Sequence, residues 1–179
     1  MKKAAFVIII LILCPALFSC GADKERFFDY QDSIRTVSGT YSADGTERGL
    51  TLYFEERDGK RACRRVEYFS PESLAGISFT LEGDAVTAEL DGIRIAYSCY
   101  KAQDVFYPAR LFSLSEEDIY EISGSGKRTV AKGKSEKSLW QVATNEEGVP
   151  TEIAFEDKDG AGAFKVEKIV LEEEDNGTK

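Results

Sequence analysis

Histidine is absent from all 179 residues. That excludes Ser–His–Asp and Cys–His nucleophile relays, histidine-ligated zinc or iron, and an imidazole switch near neutral pH. An excess of positive charge is also missing: 23 Lys and Arg stand against 32 Asp and Glu, a formal net charge of −9. This balance argues against nucleic acid as a partner and against a broad electrostatic footprint on anionic lipid. No apolar run is long enough for an ordinary transmembrane helix; the longest uninterrupted one, Ala4–Leu13, has the length and flanks of a signal-peptide core instead.

That core follows a short cationic start, Lys2 and Lys3, and leads into Leu17-Phe18-Ser19-Cys20 and then Gly21 and Ala22. The segment resembles the lipobox of bacterial lipoproteins, with a branched apolar residue three before the cysteine and a small one directly before it. Phe18 departs from the usual small residue between them, and the competing Cys14 follows the bulky Leu13. The resemblance implies a signal peptide over 1–19, diacylglyceryl transfer to Cys20, and cleavage that makes Cys20 the amino terminus. The protein is then expected at the cell membrane, lipid-anchored on its extracytoplasmic face. Loss of Lys2 and Lys3 takes the charge of the mature chain from −9 to near −11. A chain from Cys20 to Lys179 is long enough for one domain with a hydrophobic core.

Two cysteines follow the signal, Cys63 and Cys99. Export makes a disulfide between them possible. Strand parity argues the other way. Cys99 alternates with Ile93, Ile95 and Tyr97, whereas Cys63 alternates with Arg61, Arg65 and Glu67. Opposite faces of a regular sheet cannot be bridged unless a bulge resets the register. Both states stay open.

Residues 20–35 read as a lipidated tether and lead-in, and Phe27, Phe28, Tyr30 and Ile34 suit either a short helix or an extended strand. From Thr36 the punctuation becomes regular, with turn pairs at Asp44-Gly45, Asp58-Gly59, Ser70-Pro71, Gly83-Asp84 and Asp91-Gly92. Short antiparallel strands joined by hairpins produce this spacing. Between the turns the alternation has period two: Leu50, Leu52 and Phe54; Val66 and Tyr68; Ile77, Phe79 and Leu81; Val86, Ala88 and Leu90; Ile93, Ile95 and Tyr97. Thr51, Thr80, Thr87, Glu89 and Arg94 take the opposite face, so one side of the sheet is apolar and the other wet. The meander breaks at 100–115, where Pro108-Ala109-Arg110-Leu111-Phe112 suits a helix start and a small plug over the concave side. Strands resume near 118–123, 128–132, 138–144, 151–156 and 163–171, and the charged 172–179 reads as a disordered acidic tail. The expected fold is mainly β, a single curved antiparallel sheet of about eleven strands over 36–171 with one or two short helices on its concave side.

A lipobox followed by such a meander resembles the LolA/LolB and RseB-like superfamily of half-open barrels, and more narrowly the short Gram-positive lipoproteins of this kind. The stretches that carry the likeness are Ser38-Gly39-Thr40-Tyr41, Ser70-Pro71-Glu72-Ser73-Leu74 leading into Ile77-Ser78-Phe79, Leu90-Asp91-Gly92-Ile93, and Gly148-Val149-Pro150. The resemblance implies binding of acyl chains or lipoproteins on the concave face, or sensing of envelope lipids and proteins.

Chemistry-bearing patterns are weak by comparison. Ser123-Gly124-Ser125-Gly126-Lys127-Arg128 lacks the distal glycine and the hydroxyl residue of a phosphate loop and reads as a hairpin turn. Glu55, Glu56, Glu89 and Glu156 sit on polar faces and define no catalytic pair. Asp157, Asp159 and Gly160 lack the series a calcium loop needs. Two basic clusters, Arg57, Lys60, Arg61, Arg64 and Arg65, and Lys127, Arg128, Lys132, Lys134 and Lys137, read as solvated hairpins or as faces for anionic polymer. No catalytic residue, metal site or cofactor is expected. The site material is the apolar face: Leu52, Phe54, Tyr68, Phe79, Leu81, Ile95, Tyr97, Leu111, Phe112 and Trp140. These residues line an open cavity for a lipid or other apolar ligand, or they form a closed core on a module that binds another envelope protein.

Overall fold

Two Asp–Gly pairs set the local geometry of the first half. Asp44 and Gly45 have φ of 52° and 73°, and Asp91 and Gly92 have 49° and 81°. Positive φ at both central residues makes the two-residue turn whose twist matches that of paired strands, and Asp and Gly adopt it most readily. The structure, a computed structural model, describes residues 27–57, 59–97, 104–125, 127–135, 138–158 and 160–172. Within them run β1 (Ile34–Ala43), β2 (Thr46–Arg57), β3 (Lys60–Ser70), β4 (Ser78–Glu82), β5 (Ala85–Leu90), β6 (Ile93–Tyr97), β7 (Ile119–Ser125), β8 (Arg128–Lys134), β9 (Ser138–Thr144), β10 (Pro150–Asp157) and β11 (Gly160–Leu171). One-turn helices α1 (Tyr30–Ser33) and α2 (Tyr107–Arg110) and 3₁₀ turns at 104–106 and Glu116–Asp118 accompany the strands.

The strands form one antiparallel sheet in the order β6-β5-β4-β3-β2-β1-β11-β10-β9-β8-β7. Each strand pairs with its sequence neighbour, except that the first and last strands pair at the centre and the β6–β7 connection carries α2. The sheet does not close, so β6 and β7 are its edges. This is the mainly β, single-sheet architecture expected from the alternation. The first strand opens at Ile34 rather than Thr36, and the lead-in belongs to the core, with Phe27, Phe28 and Tyr30 all buried.

Burial follows the pleat. Val37, Leu50, Leu52, Val66, Ile153 and Phe164 are completely buried, each on the apolar face of its strand. The face curls around what fills it. Strands β3 and β9 are five steps apart, which in a flat sheet means about 24 Å. Yet the short lead-in touches both: Arg61 of β3 donates to the Asp32 carbonyl at 2.7 Å, and Phe28 meets the Trp140 ring of β9 at 5.8 Å. Trp140 lies across its cross-strand partner Gly133, where an added Cβ would collide with the indole, so the ring needs glycine beneath it.

Arg61 also holds the two ends of the described chain together. Its guanidinium donates to the carbonyls of Asp32 and Ile34 and pairs with the Glu172 carboxylate, while the Glu172 backbone N–H donates to the Ser33 carbonyl at 2.6 Å. The arginine is nine-tenths buried and satisfied on three sides.

Cys63 does not share the charged face. A bulge opposite Tyr53 and Phe54 skips Arg64 in the pairing, so that Cys63 opposes Phe54 while Arg65 opposes Tyr53. The extra residue inverts the parity of the strand, and Cys63 packs against the core cluster. Among the described residues Cys63 has no disulfide partner; Cys99, its potential partner, lies outside them, as does the lipidation residue Cys20.

Candidate functional site

The candidate site follows from how far the plug reaches. Pro108 opens α2, and the short apolar run after it places Leu111 and Phe112 on the concave face. The Phe112 ring meets Phe54 of β2 at 6.1 Å and Phe164 of β11 at 5.2 Å, both edge to face. On the next strand out, the Tyr107 ring packs on Phe155, and its hydroxyl donates to Asp157 Oδ2 at 2.6 Å. Asp157 Oδ1 accepts from the Gly160 backbone N–H at 3.0 Å. The lead-in covers the next strand, with Phe28 against Trp140, and Gln31 Nε2 donates to the Leu114 carbonyl at 3.1 Å, tying the lead-in to the plug. Plug and lead-in together reach β9, β10, β11 and β2 through ring contacts and β3 through Arg61.

On the wing formed by β4, β5 and β6 the apolar face opens toward solvent: Val86 of β5 is still completely buried, but every residue of β6 is exposed. Along one cross-strand row Val66 is completely buried, Phe79 and Ala88 are half-buried, and Ile95 is 50% exposed. The next row runs from half-buried Leu81 through buried Val86 to Tyr97, which is 43% exposed. The last joins Leu90 and Ile93, 41% and 67% exposed. Directly paired residues of antiparallel strands share a face, so these side chains form one surface continuous with the core. On the reverse face Arg94 Nε donates to Glu89 Oε2 at 2.8 Å.

The residues singled out in the sequence therefore divide. Leu52, Phe54, Tyr68, Leu111, Phe112 and Trp140 are buried core. Phe79 and Leu81 form the slope between core and wing, and Ile95 and Tyr97 stand open. Leu90 and Ile93 complete the open face; both flank the Asp91-Gly92 turn and were readable from the same alternation, but not their exposure. Two shallow depressions, of about 270 and 360 Å³, lie elsewhere. The first is lined by residues such as Lys134, Glu156 and Lys158, and the second surrounds the Arg61–Glu172 junction. Neither is an apolar cavity under the plug.

Charge is mostly dispersed in local pairs. Arg65 binds Glu67 and lies over the Tyr53 ring, Lys132 binds Glu121, and Arg128 reaches Glu152. These pairs divide both basic clusters, and Arg61 is taken up as the staple. Ser125 and Arg128 pair across the β7–β8 hairpin, as the turn reading requires. Among the described residues no group of acidic or cysteine side chains could hold a metal, and no helix is long and apolar enough to cross a membrane.

Burial shifts several protons. It pushes the Cys63 thiol up to about 12 and the Tyr41 phenol up to about 12. Tyr107 is raised well above the ordinary phenol value, first by desolvation and then by its bond to Asp157. Burial raises Tyr30 likewise, partly offset by neighbouring Gln31. Among the described residues neither the Tyr30 hydroxyl nor the Trp140 indole N–H, both buried and on either side of Phe28, makes a well-formed hydrogen bond.

The fold and site thus define an open, eleven-stranded antiparallel sheet with a plugged core and one exposed apolar wing. Solved structures similar to it include the Mycobacterium tuberculosis lipoprotein LppX, at 11% identity over 82% of this chain and 92% of that one, with a TM-score of 0.44. A LolA superfamily protein from Nitrosomonas europaea is 14% identical over 84% of this chain and 94% of that one, TM-score 0.35. The Pseudomonas aeruginosa MucA/MucB complex matches at 15% identity over 83% of this chain and 54% of that one, TM-score 0.36. No protein-family model and no curated protein matches the sequence.

Proposed function

We propose that the protein is a non-enzymatic binding protein of the bacterial cell envelope, tethered through lipidated Cys20 on the extracytoplasmic face of the membrane. Its site is the open face of the β4–β6 wing, where an apolar partner, lipid or protein, lies against Leu90, Ile93, Ile95 and Tyr97. The carrying observation is the contrast in burial: Leu52 of β2, under the plug, is 0% exposed, and Ile93 on the same sheet is 67% exposed. A monomeric domain gains nothing by leaving that surface wet, and contiguous exposed apolar faces mark interaction sites.

The exposed area also bounds the affinity. Four large apolar side chains, each roughly half exposed, offer on the order of 4 kcal/mol on burial. That corresponds to a Kd near 1 mM before ordering costs, so the apolar face alone gives a weak site.

Native mass spectrometry of the chain recovered from membranes tests the proposal. A reproducible non-covalent adduct is expected, retained in Lys134→Glu and lost in Ile95→Asp with the melting temperature unchanged. An adduct indifferent to Ile95→Asp but lost when Phe54 is replaced would place the ligand under the plug and overturn the wing assignment. The same spectrum reads the anchor, because the mature chain should start at Cys20 and carry a diacylglyceryl group.

A further inference from the structure

We propose that the free edge of β6 receives an extended polypeptide segment of a partner as a twelfth strand, one that alternates apolar and polar side chains and carries lysine or arginine at its ends. The inference rests on the reading of the wing as a binding face and names its occupant.

The backbone supplies the first reason. Among the described strands β6 ends the sheet, and all five of its residues are exposed. Leu90 and Ile93 close the two-residue Asp91-Gly92 turn, and such a closing pair exchanges its hydrogen bonds. Hydrogen-bonding direction alternates along a strand, so the N–H and C=O groups of Arg94 and Ala96 point away from β5. Exposed edges are normally blunted by proline, lysine, an inward charge or a bulge. β6 reads Ile-Arg-Ile-Ala-Tyr, pairs with β5 without a register shift, and turns its one charge to the reverse face, against Glu89. An added strand would gain these four backbone groups and would set alternate side chains beside Ile93, Ile95 and Tyr97, the combination by which sheet edges recognise extended peptides.

Charge selects among occupants. Between Pro71 and Tyr97 the chain carries Glu72, Glu82, Asp84, Glu89 and Asp91 against Arg94 alone. Glu82 and Asp84 lie at the β4–β5 end of the wing, and Asp91 lies at the β5–β6 end, so among the described residues acids stand at both ends of the wing. A second copy paired antiparallel through β6 would set these tips against their like. An anionic phospholipid would meet the same repulsion. A segment with basic ends meets attraction at both, and complementary charge favours the correct partner and suppresses wrong ones.

The test uses the full chain in phosphatidylcholine vesicles and a fluorescein-labelled peptide of seven alternating valines and threonines with two lysines at each end, read by anisotropy. Binding is expected, weakened about tenfold or more when the end lysines become glutamates. N-methylation of alternate amides should weaken it about tenfold in one of the two possible sets and little in the other, because a strand pairs through every second residue. Ile95→Asp should remove binding while leaving the melting temperature unchanged. Equal binding of the glutamate-ended peptide, or equal tolerance of both N-methylated sets, overturns strand addition but leaves an apolar site on the wing. No peptide binding, with a lipid adduct that Ile95→Asp removes, overturns this inference and keeps the wing assignment. Neither peptide nor lipid on the wing overturns both.

Discussion

Replacing Phe112 by alanine measures whether the concave face is core or cavity. The ring is 2% exposed and wedged edge to face against Phe54 and Phe164, on strands that pair with β1 from either side. Truncation removes its transfer free energy and leaves a void between rigid strands, which for a buried phenylalanine costs about 3–5 kcal/mol. Two aromatic contacts place this case towards the upper end. For a chain of this size, 4 kcal/mol lowers the melting temperature by about 10 °C. Urea unfolding followed through Trp140, the single tryptophan, should show a lower midpoint with the slope unchanged. If the face were instead a wet ligand cavity with Phe112 as a movable lid, the loss would be below about 1 kcal/mol and lipid uptake would rise. That pairing of results would refute the closed-core argument.

Other expectations follow from single residues. Arg61→Met should cost about 1–3 kcal/mol, because the Asp32 and Ile34 carbonyls lose their donor while the half-exposed Glu172 keeps its pair with Arg35; chemical denaturation checks it. Tyr30→Phe removes a buried hydroxyl that makes no well-formed hydrogen bond among the described residues, its nearest polar neighbour being Gln31, and should raise stability by up to about 1 kcal/mol in the same assay. Cys63, Tyr41 and Tyr107 all have raised pKa values in the folded state, so the unfolded chain releases their protons first as pH rises. Their stabilisation is complete below the unfolded values, about 9 for cysteine and 10 for tyrosine, and is lost as pH climbs through the folded ones. Stability should therefore fall from about pH 9 upward, and Cys63→Ala should flatten the first part of that fall. An intact mass two hydrogens lighter would show instead that Cys63 is bridged to Cys99 and does not titrate.

The alternation in Leu50-Thr51-Leu52-Tyr53-Phe54 and its successors made the strands and their apolar face legible, because the pleat enforces period two whatever lies beyond it. The turn residues made the hairpins legible for a similar reason: Asp91-Gly92 takes positive φ at little cost. Two features depended on information that pattern does not carry. The bulge at Arg64 turns Cys63 inward because of pairing with β2, and one inserted residue leaves no mark on composition. The split of the apolar face into core and wing depends on how far Phe112 and Phe28 reach across the sheet. Phe54 and Ile95 have the same alternation in sequence, and only the plug distinguishes them.

A ligand held on the exposed wing and excluded from the plugged core can be told from one in the core by position-specific crosslinking. Photo-leucine makes the distinction most directly, since it replaces every leucine with little change of shape and crosslinks whatever lies against it on illumination in cells. Partner or lipid adducts are expected on Leu90, 41% exposed on the wing, and none on Leu50 or Leu52 beneath the plug or on Leu111 within it. Adducts on Leu52 or Leu111 with Leu90 unmodified would contradict the wing assignment.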